Sequence, residues 1–189
     1  MVFTFTPHLN KGRIVKKLQA KTVLLIGILM APCVMAGTLQ AGFSPEGSAH
    51  HLVLHTIDSA RSSIRMMAYS FTDPSIMKAL IRARQRGVDV RIVIDEEGNR
   101  GKASIAAMNL VTGAGIPLRT DRDFRIQHDK VIIVDNRSVE TGSYNYTLSA
   151  ARNNSENALL IEDDPGIASQ FLSHWEDRWQ RGQDWKQTY

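Results

Sequence analysis

The chain has 189 residues, of which 43% are hydrophobic, and this predicts a single globular domain with a substantial core. Its net charge of +4 is not evidence for nucleic-acid binding, because residues 1–36 contain five lysines and arginines and no acidic residue. Removing these five charges leaves −1 for the rest of the chain. The composition therefore excludes a strongly basic protein, and any basic groove must be local.

The first 36 residues have the pattern of a secretory signal peptide. A basic segment, 13–21, precedes the apolar run 23–30, and small residues lead up to Gly37. The apolar run is shorter than the roughly 20 residues that a membrane-spanning helix requires. We therefore expect cleavage before Gly37, which leaves a periplasmic or secreted domain of residues 37–189 with no membrane segment. A retained N-terminal anchor is the alternative.

Strand and helix patterns alternate along the rest of the chain. Runs rich in β-branched and other apolar residues predict strands at 39–43, 62–71, 88–95, 116–120, 128–135, 138–143 and 157–163. Capping residues and apolar stripes predict helices at 48–60, 74–87, 102–115 and 165–182. In the last helix, Phe171, Trp175 and Trp179 form a stripe typical of a core-facing surface. Such alternation predicts an α/β fold, a sheet with helices on both faces.

The stretch 128–135, HDKVIIVD, combines charged residues with a buried strand. Side chains alternate along a strand, so His128 and Lys130 share one face and lie at one end of it. An imidazole beside a fixed cation suits attack on a phosphodiester, because the cation stabilises charge on the phosphoryl oxygens. Asp135 points to the other face. We therefore expect Asp135 to be structural, either capping the turn at Asn136–Arg137 or pairing with a base.

Further polar residues follow in GSYNYT, residues 142–147, and in the next strand. If the second strand continues, Ser143 and Asn145 share a face and offer neutral hydrogen-bond donors to phosphoryl oxygens. Glu156 begins the next strand and could accept the other ring N–H of His128, which would fix its tautomer.

Together these residues match the pattern H-x-K-x4-D-x6-G-S-x-N, which resembles the signature of the phospholipase D superfamily. Six fixed positions within 18 residues make the match specific: His128, Lys130, Asp135, Gly142, Ser143 and Asn145. The segments SIRMMAYSFTDP, RGVDVRIVID and HWEDRW resemble more narrowly the small plasmid-encoded, EDTA-resistant bacterial endonuclease of that superfamily, which carries a single motif. The resemblance implies a phospholipase D-like α-β-α sandwich built on a mixed sheet.

The resemblance also implies a mechanism and a substrate. His128 would be the nucleophile that forms a phosphohistidine intermediate, with Glu156 orienting it. Lys130, Ser143 and Asn145 would hold the phosphate oxygens, whereas Asp135 and Gly142 would shape the motif. No metal or other cofactor is implied. The substrate would be DNA, with RNA left open, cut without sequence specificity. Larger members use two motifs in one chain, so this single-motif chain implies a homodimer with one shared site.

Two other functions remain open from the sequence. The same chemistry could act on a phospholipid, although we find no apolar loop for acyl chains in 37–189. The chain could also be an inactive module that binds phosphate backbones. Loop residues at strand ends are candidates for backbone contacts, without a basis for choosing among them: Asp73, Asn99, Arg100, Lys102, Arg119, Arg122 and Arg125.

Metal binding is not favoured by the remaining candidates. Cys33, the only cysteine, lies in the predicted signal. His51 and His55 are four residues apart on a predicted helix, but with His50 they lack the glutamate of the metalloprotease pattern and a third ligand. The acidic run at 95–97 follows a strand and is more typical of a solvated loop than of a divalent-cation site.

Overall fold

A computed structural model describes Met1 and residues 37–187 of the chain. The predicted signal peptide and its cleavage site lie outside the described residues, except for Met1 and Gly37. The strands are β1 Thr38–Ser44, β2 Ser63–Ala68, β3 Asp89–Asp95, β4 Leu118–Asp121, β5 Lys130–Val134, β6 Ser138–Gly142, β7 Glu156–Glu162 and β8 Gln183–Asp184. The helices are α1 Ser48–Ser59, α2 Pro74–Gln85, α3 Lys102–Gly113, α4 Leu148–Arg152 and α5 Pro165–Arg181, with a 3₁₀ turn at Glu97–Asn99.

The eight strands form one mixed sheet in the order β1-β7-β6-β5-β2-β3-β4-β8. Strands β2, β3 and β4 are parallel, and the other neighbouring pairs are antiparallel. Strand β5 lies in the middle of the sheet, between β6 and β2, so it is paired along both edges. Every residue of β5 is buried, and this central position gives the start of the strand a rigid support.

Helices cover both faces of the sheet, which confirms the predicted α/β fold. Buried residues of α1, α2 and α3 pack in one core with alternate sheet residues such as Ile92 and Ile132. On the other face, α5 packs through Trp175 on Val131 and Ile133, with Phe171 and Trp179 partly buried beside them. The alternation of β5 therefore divides its apolar side chains between two cores.

The helix starts follow the capping residues of the sequence. Asp73 precedes Pro74, and its side chain accepts a hydrogen bond of 2.8 Å from the Ser75 N–H. Asp164 precedes Pro165 in the same way at the start of α5. An acceptor before a proline satisfies one of the free N–H groups of the first turn, and the proline lacks an N–H that would need a partner.

The observed elements differ from the predicted ones near the motif. Strand β5 begins at Lys130, so His128 lies in the preceding loop and not in the strand. Strand β6 ends at Gly142, so Ser143 and Asn145 lie in a loop and the predicted strand continuation is wrong. The short helix α4 and strand β8 were not predicted, because five and two residues are too few to show a period. Within residues 37–187, no helix is long and apolar enough to cross a membrane.

Candidate active site

Six residues of the motif region line one open pocket of about 410 Å³ at the end of the sheet where β5 begins. They come from the loop before β5, from β5 itself, from the end of β6 and the loop after it, and from the start of β7. The lining residues are His128, Lys130, Gly142, Ser143, Asn145 and Glu156. The fold thus brings together five candidate functional residues and the motif glycine from separate segments.

His128 is exposed, as is Ser143, whereas Lys130 is buried. Its ring packs against the ring of Tyr69, with centroids 4.7 Å apart and planes inclined at 56°. Tyr69 directly follows β2, the neighbour of β5 in the sheet. An exposed imidazole supported on one side by an aromatic ring can reach a substrate while its orientation remains restricted.

Lys130 is only 5% exposed, although its side chain reaches the pocket. Its Nζ donates a hydrogen bond of 2.7 Å to the backbone carbonyl of His128 and lies 5.1 Å from the centre of the Tyr69 ring. Burial lowers the pKa of this ammonium, against the opposing charges of Asp129 and Glu156. The cation is therefore held close to His128, with N–H groups left to bind an anion.

Ser143 and Asn145 converge on the pocket from the loop after β6. The Ser143 Oγ accepts a hydrogen bond of 3.0 Å from the Asn157 N–H, so its own O–H remains able to donate. A side chain at Gly142 would collide with the backbone carbonyl of Asn157, which explains the glycine. Both donors predicted from the sequence thus reach the pocket, from a loop instead of a strand.

Glu156 lies in the pocket at the start of β7, but its observed partner is not the predicted one. Its Oε1 accepts a hydrogen bond of 2.9 Å from the Asn154 side-chain amide. Among the hydrogen bonds of the described residues, none joins Glu156 to the His128 ring. The carboxylate is close enough to Lys130 to oppose the loss of its proton, so it contributes negative charge to the site.

Asp135 lies at the far end of β5 and makes structural contacts. Its carboxylate accepts hydrogen bonds of 2.7–2.9 Å from the backbone N–H groups of Arg61, Ser62 and Ser63 and from the Ser62 hydroxyl. Burial raises the pKa of this carboxyl, but these hydrogen bonds outweigh burial and hold the pKa below its usual range. The carboxylate binds the segment before β2, and its hydrogen bonds go to neither expected partner, the turn at Asn136–Arg137 or a basic side chain.

The candidate metal ligands have other partners or lie apart. Within residues 37–187, no group of three or more histidine, cysteine or acidic residues is arranged to hold a metal ion. His50 faces Asp73 at 3.2 Å, whereas His51 and His55 line a separate shallow pocket on α1. Asp95 is buried and accepts hydrogen bonds from the backbone of Gly98 and Gln127. Glu96 and Glu97 pair with Arg100.

The other loop candidates divide between structural and exposed positions. Asn99 is buried and binds the backbone of Tyr69 and Phe71. Arg119 pairs with Asp184 and lies over the Trp179 ring. By contrast, Lys102, Arg122 and Arg125 are exposed, and the two arginines lie in the loop that leads to His128. These two are the candidates best placed to meet a substrate backbone.

Sequence reasoning missed two contributors to the site and one buried acidic residue of β6. Tyr69 supports both His128 and Lys130, and the signal that could have identified it is an aromatic residue at the end of a central strand. Asn154 binds Glu156 and has no distinguishing sequence signal. The buried Glu140, two residues before the motif glycine, is a charged residue type inside a predicted strand, and that conflict was a usable signal.

Known proteins are similar to this chain in sequence. Residues 53–179 match the family model described as cardiolipin synthase, PLD-like domain. The chain is 38% identical over 136 residues to a phospholipase D of Rickettsia conorii, covering 72% of this chain and 66% of that protein. It is 36% identical over 146 residues to the human mitochondrial cardiolipin hydrolase, covering 77% of this chain and 57% of that protein. It thus spans slightly less than two thirds of the rickettsial relative.

A solved structure extends the similarity to three dimensions. Nuc from Salmonella typhimurium, a phospholipase D family member, is 64% identical and superposes with a TM-score of 0.79. The match covers 79% of this chain and 99% of that one. With its mixed sheet, two helical layers and a motif pocket at the start of β5, the chain belongs to the phospholipase D superfamily.

Proposed function

We propose that this protein is a metal-independent, non-specific endonuclease that hydrolyses phosphodiester bonds of DNA. The observation that carries the proposal is the convergence of His128, Lys130, Ser143 and Asn145 on one open pocket. A potential nucleophile, a cation and two neutral donors are the groups that phosphoryl transfer requires, because its catalysis rests on positioning and on charge stabilisation. Such a set needs no metal ion.

The proposed reaction has two displacement steps. A ring nitrogen of His128 attacks phosphorus, the bond to the leaving oxygen breaks, and that oxygen takes a proton from His128 of the partner subunit. Water then attacks the phosphohistidine, its proton passes to the partner's His128, and the nitrogen–phosphorus bond breaks. Lys130, Ser143 and Asn145 bind the non-bridging oxygens throughout. Glu156 adds negative charge that opposes the loss of the Lys130 proton and so helps to keep this side chain a cation.

The proposed active form is a homodimer, since one chain supplies only one histidine of the pair. The pocket is open to solvent, and His128 is exposed within it. A two-fold axis beside such a pocket would place two motifs opposite each other across one substrate phosphate. Residues 1–36 are proposed to direct export, so the dimer would act in the periplasm or outside the cell.

The dimer can be tested by mixing subunits. Sedimentation should give twice the mass of the mature chain. When wild type is refolded together with rising fractions of His128→Ala, activity should fall as the square of the wild-type fraction, because both histidines are needed. A linear decrease, or a monomer with full activity, would contradict a shared site.

DNA is favoured over phospholipid by the surroundings of the pocket. The exposed Arg122 and Arg125 lie in the loop leading to His128, where they can meet neighbouring phosphates of a polymer. Phospholipid hydrolysis is the second candidate function, since one relative is called a phospholipase D and another a cardiolipin hydrolase. A phospholipid would present one phosphodiester to the same four groups.

One parallel assay separates the candidates. Purified protein in EDTA is incubated with supercoiled plasmid and, separately, with vesicles of phosphatidylcholine and cardiolipin, and nicked DNA and released headgroup are measured. We expect nicking without headgroup release, and no nicking by His128→Ala. Headgroup release without nicking would favour the lipid enzyme. Tight plasmid binding with neither product would favour the inactive binding module.

A further inference from the structure

The loop that carries Ser143 and Asn145 is fixed through its backbone to two neighbouring segments. At its start, the N–H groups of Ser143 and Tyr144 both donate to the carbonyl of Asn157, at 3.1 and 3.2 Å. At its end, the Tyr146 N–H donates to the Ser70 carbonyl, and the Tyr146 carbonyl accepts from the N–H groups of residues 72 and 73. The backbone on either side of Asn145 is therefore held.

One side-chain contact also closes this loop. The Tyr146 hydroxyl donates a hydrogen bond of 3.0 Å to Oε2 of Glu140, which lies six residues earlier on β6. Both residues are completely buried. The contact joins the strand before Gly142 to the residue after Asn145. The two candidate phosphate donors, Ser143 and Asn145, thus lie inside the ring that it closes.

A carboxyl group in this position needs an explanation. Glu140 is paired in the sheet with Ile132 of β5 and Leu160 of β7, so apolar residues flank it on both sides. Burial raises the pKa of Glu140 to about 8, although the hydrogen bond from Tyr146 acts in the opposite direction. A buried carboxyl costs stability compared with an apolar residue of the same size. Its retention is understandable if the contact with Tyr146 serves the site.

Tyr144 provides an internal reference. Its side chain is as buried as that of Tyr146, and the two residues flank Asn145 on either side. Among the described residues, however, the Tyr144 hydroxyl has no hydrogen-bond partner. The hydroxyls of these two buried tyrosines therefore differ in hydrogen bonding, since only that of Tyr146 has a described partner, Glu140. This difference allows the contact to be tested without changing the packing of the ring.

We propose that Glu140 and Tyr146 form a buried clasp that positions Ser143 and Asn145 to bind the substrate phosphate. Both are positioning residues, since neither lines the pocket. The clasp narrows the range of loop conformations, and small displacements of donors from a phosphate are costly to binding and to catalysis. The inference rests on the proposed function, because it assigns a role within that site.

The test compares Tyr146→Phe with the matched control Tyr144→Phe. Two readouts are measured: the dissociation constant for inorganic phosphate by calorimetry, and the kcat and KM for bis(p-nitrophenyl) phosphate in EDTA. We expect Tyr146→Phe to weaken phosphate binding and to lower kcat/KM by about tenfold each, the equivalent of one lost buried hydrogen bond. Tyr144→Phe should match wild type in both, because it removes a hydroxyl without a described partner.

A second pair addresses the other half of the clasp. Glu140→Gln retains an oxygen that can accept from Tyr146 and should keep phosphate affinity within about twofold of wild type. Glu140→Leu keeps the volume but removes the acceptor, and should lose about tenfold, as Tyr146→Phe does. Melting temperatures recorded for all four variants show whether each is folded during the measurement. A purely structural clasp would lower the melting temperature of the folded variants without changing their phosphate affinity.

The outcomes distinguish this inference from the proposed function. If the protein cleaves no phosphodiester but Tyr146→Phe still weakens phosphate binding relative to Tyr144→Phe, the clasp stands and the proposed function fails. If wild type is active and the two tyrosine variants have equal phosphate affinity and equal kcat/KM, the clasp is refuted and the function stands. Absence of both phosphate binding and phosphodiester cleavage in wild type would overturn both.

Discussion

The two ends of β5 carry ionisable side chains in opposite situations. At its start, His128 is exposed, and Lys130 has one hydrogen bond, to a backbone carbonyl, with N–H groups left over. At its end, Asp135 has four hydrogen bonds from the segment that leads into β2. His128 and Lys130 can therefore still form hydrogen bonds with a ligand. Asp135 uses its carboxylate oxygens to hold the fold together.

Pocket size alone would favour the Asp135 end of β5 over the motif end. The pocket at the Asp135 end measures about 480 Å³, which is larger than the motif pocket. In this pocket, however, Asp135 binds backbone N–H groups and Arg137 pairs with Asp163. Free hydrogen-bond donors beside an exposed imidazole indicate a binding site better than pocket volume does.

Removing the nucleophile should have the largest effect. His128→Ala should lower kcat for DNA cleavage by at least about 10³-fold, because the covalent route is lost. The melting temperature should stay unchanged, since the side chain is exposed. His51→Ala is the control, as His51 is an exposed histidine of α1 in a different pocket. Equal nicking rates for His128→Ala and His51→Ala would contradict the assignment.

Removing the cation should come next. Lys130→Met should lower kcat/KM by about 10²-fold, because the developing phosphoryl charge loses its fixed partner. Stability should be unchanged or higher, since methionine fills the same buried space without the cost of burying an ammonium. Kinetics and thermal unfolding of the same sample separate the two effects. Loss of stability with unchanged kcat/KM would show that Lys130, like Asp135, has a structural role.

A substitution at Asp135 should lower the stability of the protein without changing its rate of cleavage. Asp135→Asn should lower the free energy of unfolding by about 1–2 kcal/mol, because the amide nitrogen cannot accept the hydrogen bonds of the lost oxygen. Asp163→Asn is the matched control, since both residues have positive φ, near 53° and 55°, and Asp163 makes an exposed ion pair. It should change stability by less than about 0.5 kcal/mol. Urea unfolding gives both values, and kcat per folded molecule should stay at the wild-type level.

The same substitution has a defined pH dependence. The hydrogen bonds hold the pKa of Asp135 below its usual range, so its contribution is fully present above about pH 4, the value of an unfolded aspartate. It is lost as the pH falls through the lower folded pKa. The difference between wild type and Asp135→Asn should therefore shrink in acid. A difference that grows with acidity would contradict the hydrogen-bonded carboxylate.

Glu140 should show the opposite pH dependence. Its folded pKa of about 8 lies above that of an unfolded glutamate, about 4.3, so the folded state retains a proton that the unfolded state has lost. Wild type should lose stability relative to Glu140→Gln between these pH values, by at most about 1.4 kcal/mol per pH unit. Urea unfolding at pH 5, 6.5 and 8 measures the slope. A flat difference would show that the carboxyl is ionised or hydrated in the folded protein.

Chelation should have the smallest effect. Nicking by wild type should be the same with EDTA as without it, because the proposed set of His128, Lys130, Ser143 and Asn145 needs no metal ion. Plasmid nicking is measured in about 10 mM EDTA, which is a large excess over any metal carried with the protein, and again after magnesium is added. Complete loss in EDTA that magnesium restores would contradict the proposed mechanism.

The sequence predicted the fold well where long elements determine it. Helices α1, α2, α3 and α5 and the strands of the central sheet follow from apolar period and capping residues, such as Asp73 before Pro74. The sequence could not show where β5 begins and where β6 ends, since strand ends depend on pairing with neighbours. His128 and Ser143 were therefore placed in strands, although both lie in loops.

The motif predicted which residues line the pocket, but it did not predict the contacts that these residues make. His128, Lys130, Ser143, Asn145 and Glu156 share one pocket, as the spacing suggested. The contacts of Tyr69 with His128, and of Asn154 with Glu156, arise where separate strands meet. Such contacts depend on side-chain packing across the sheet, which no local pattern encodes. The partners of Asp135 were missed for the same reason.

Trapping the covalent intermediate is the most direct test of the claim that the active site lies at the start of β5. Uniformly ³²P-labelled DNA is mixed with wild type, His128→Ala or Asp135→Asn, quenched in alkaline detergent during turnover, and separated on a denaturing gel. We predict label on the wild-type and Asp135→Asn bands, lost on acid treatment as a phosphohistidine requires, and none on His128→Ala. Label on the His128→Ala band, or on a residue outside the motif pocket, would contradict the account.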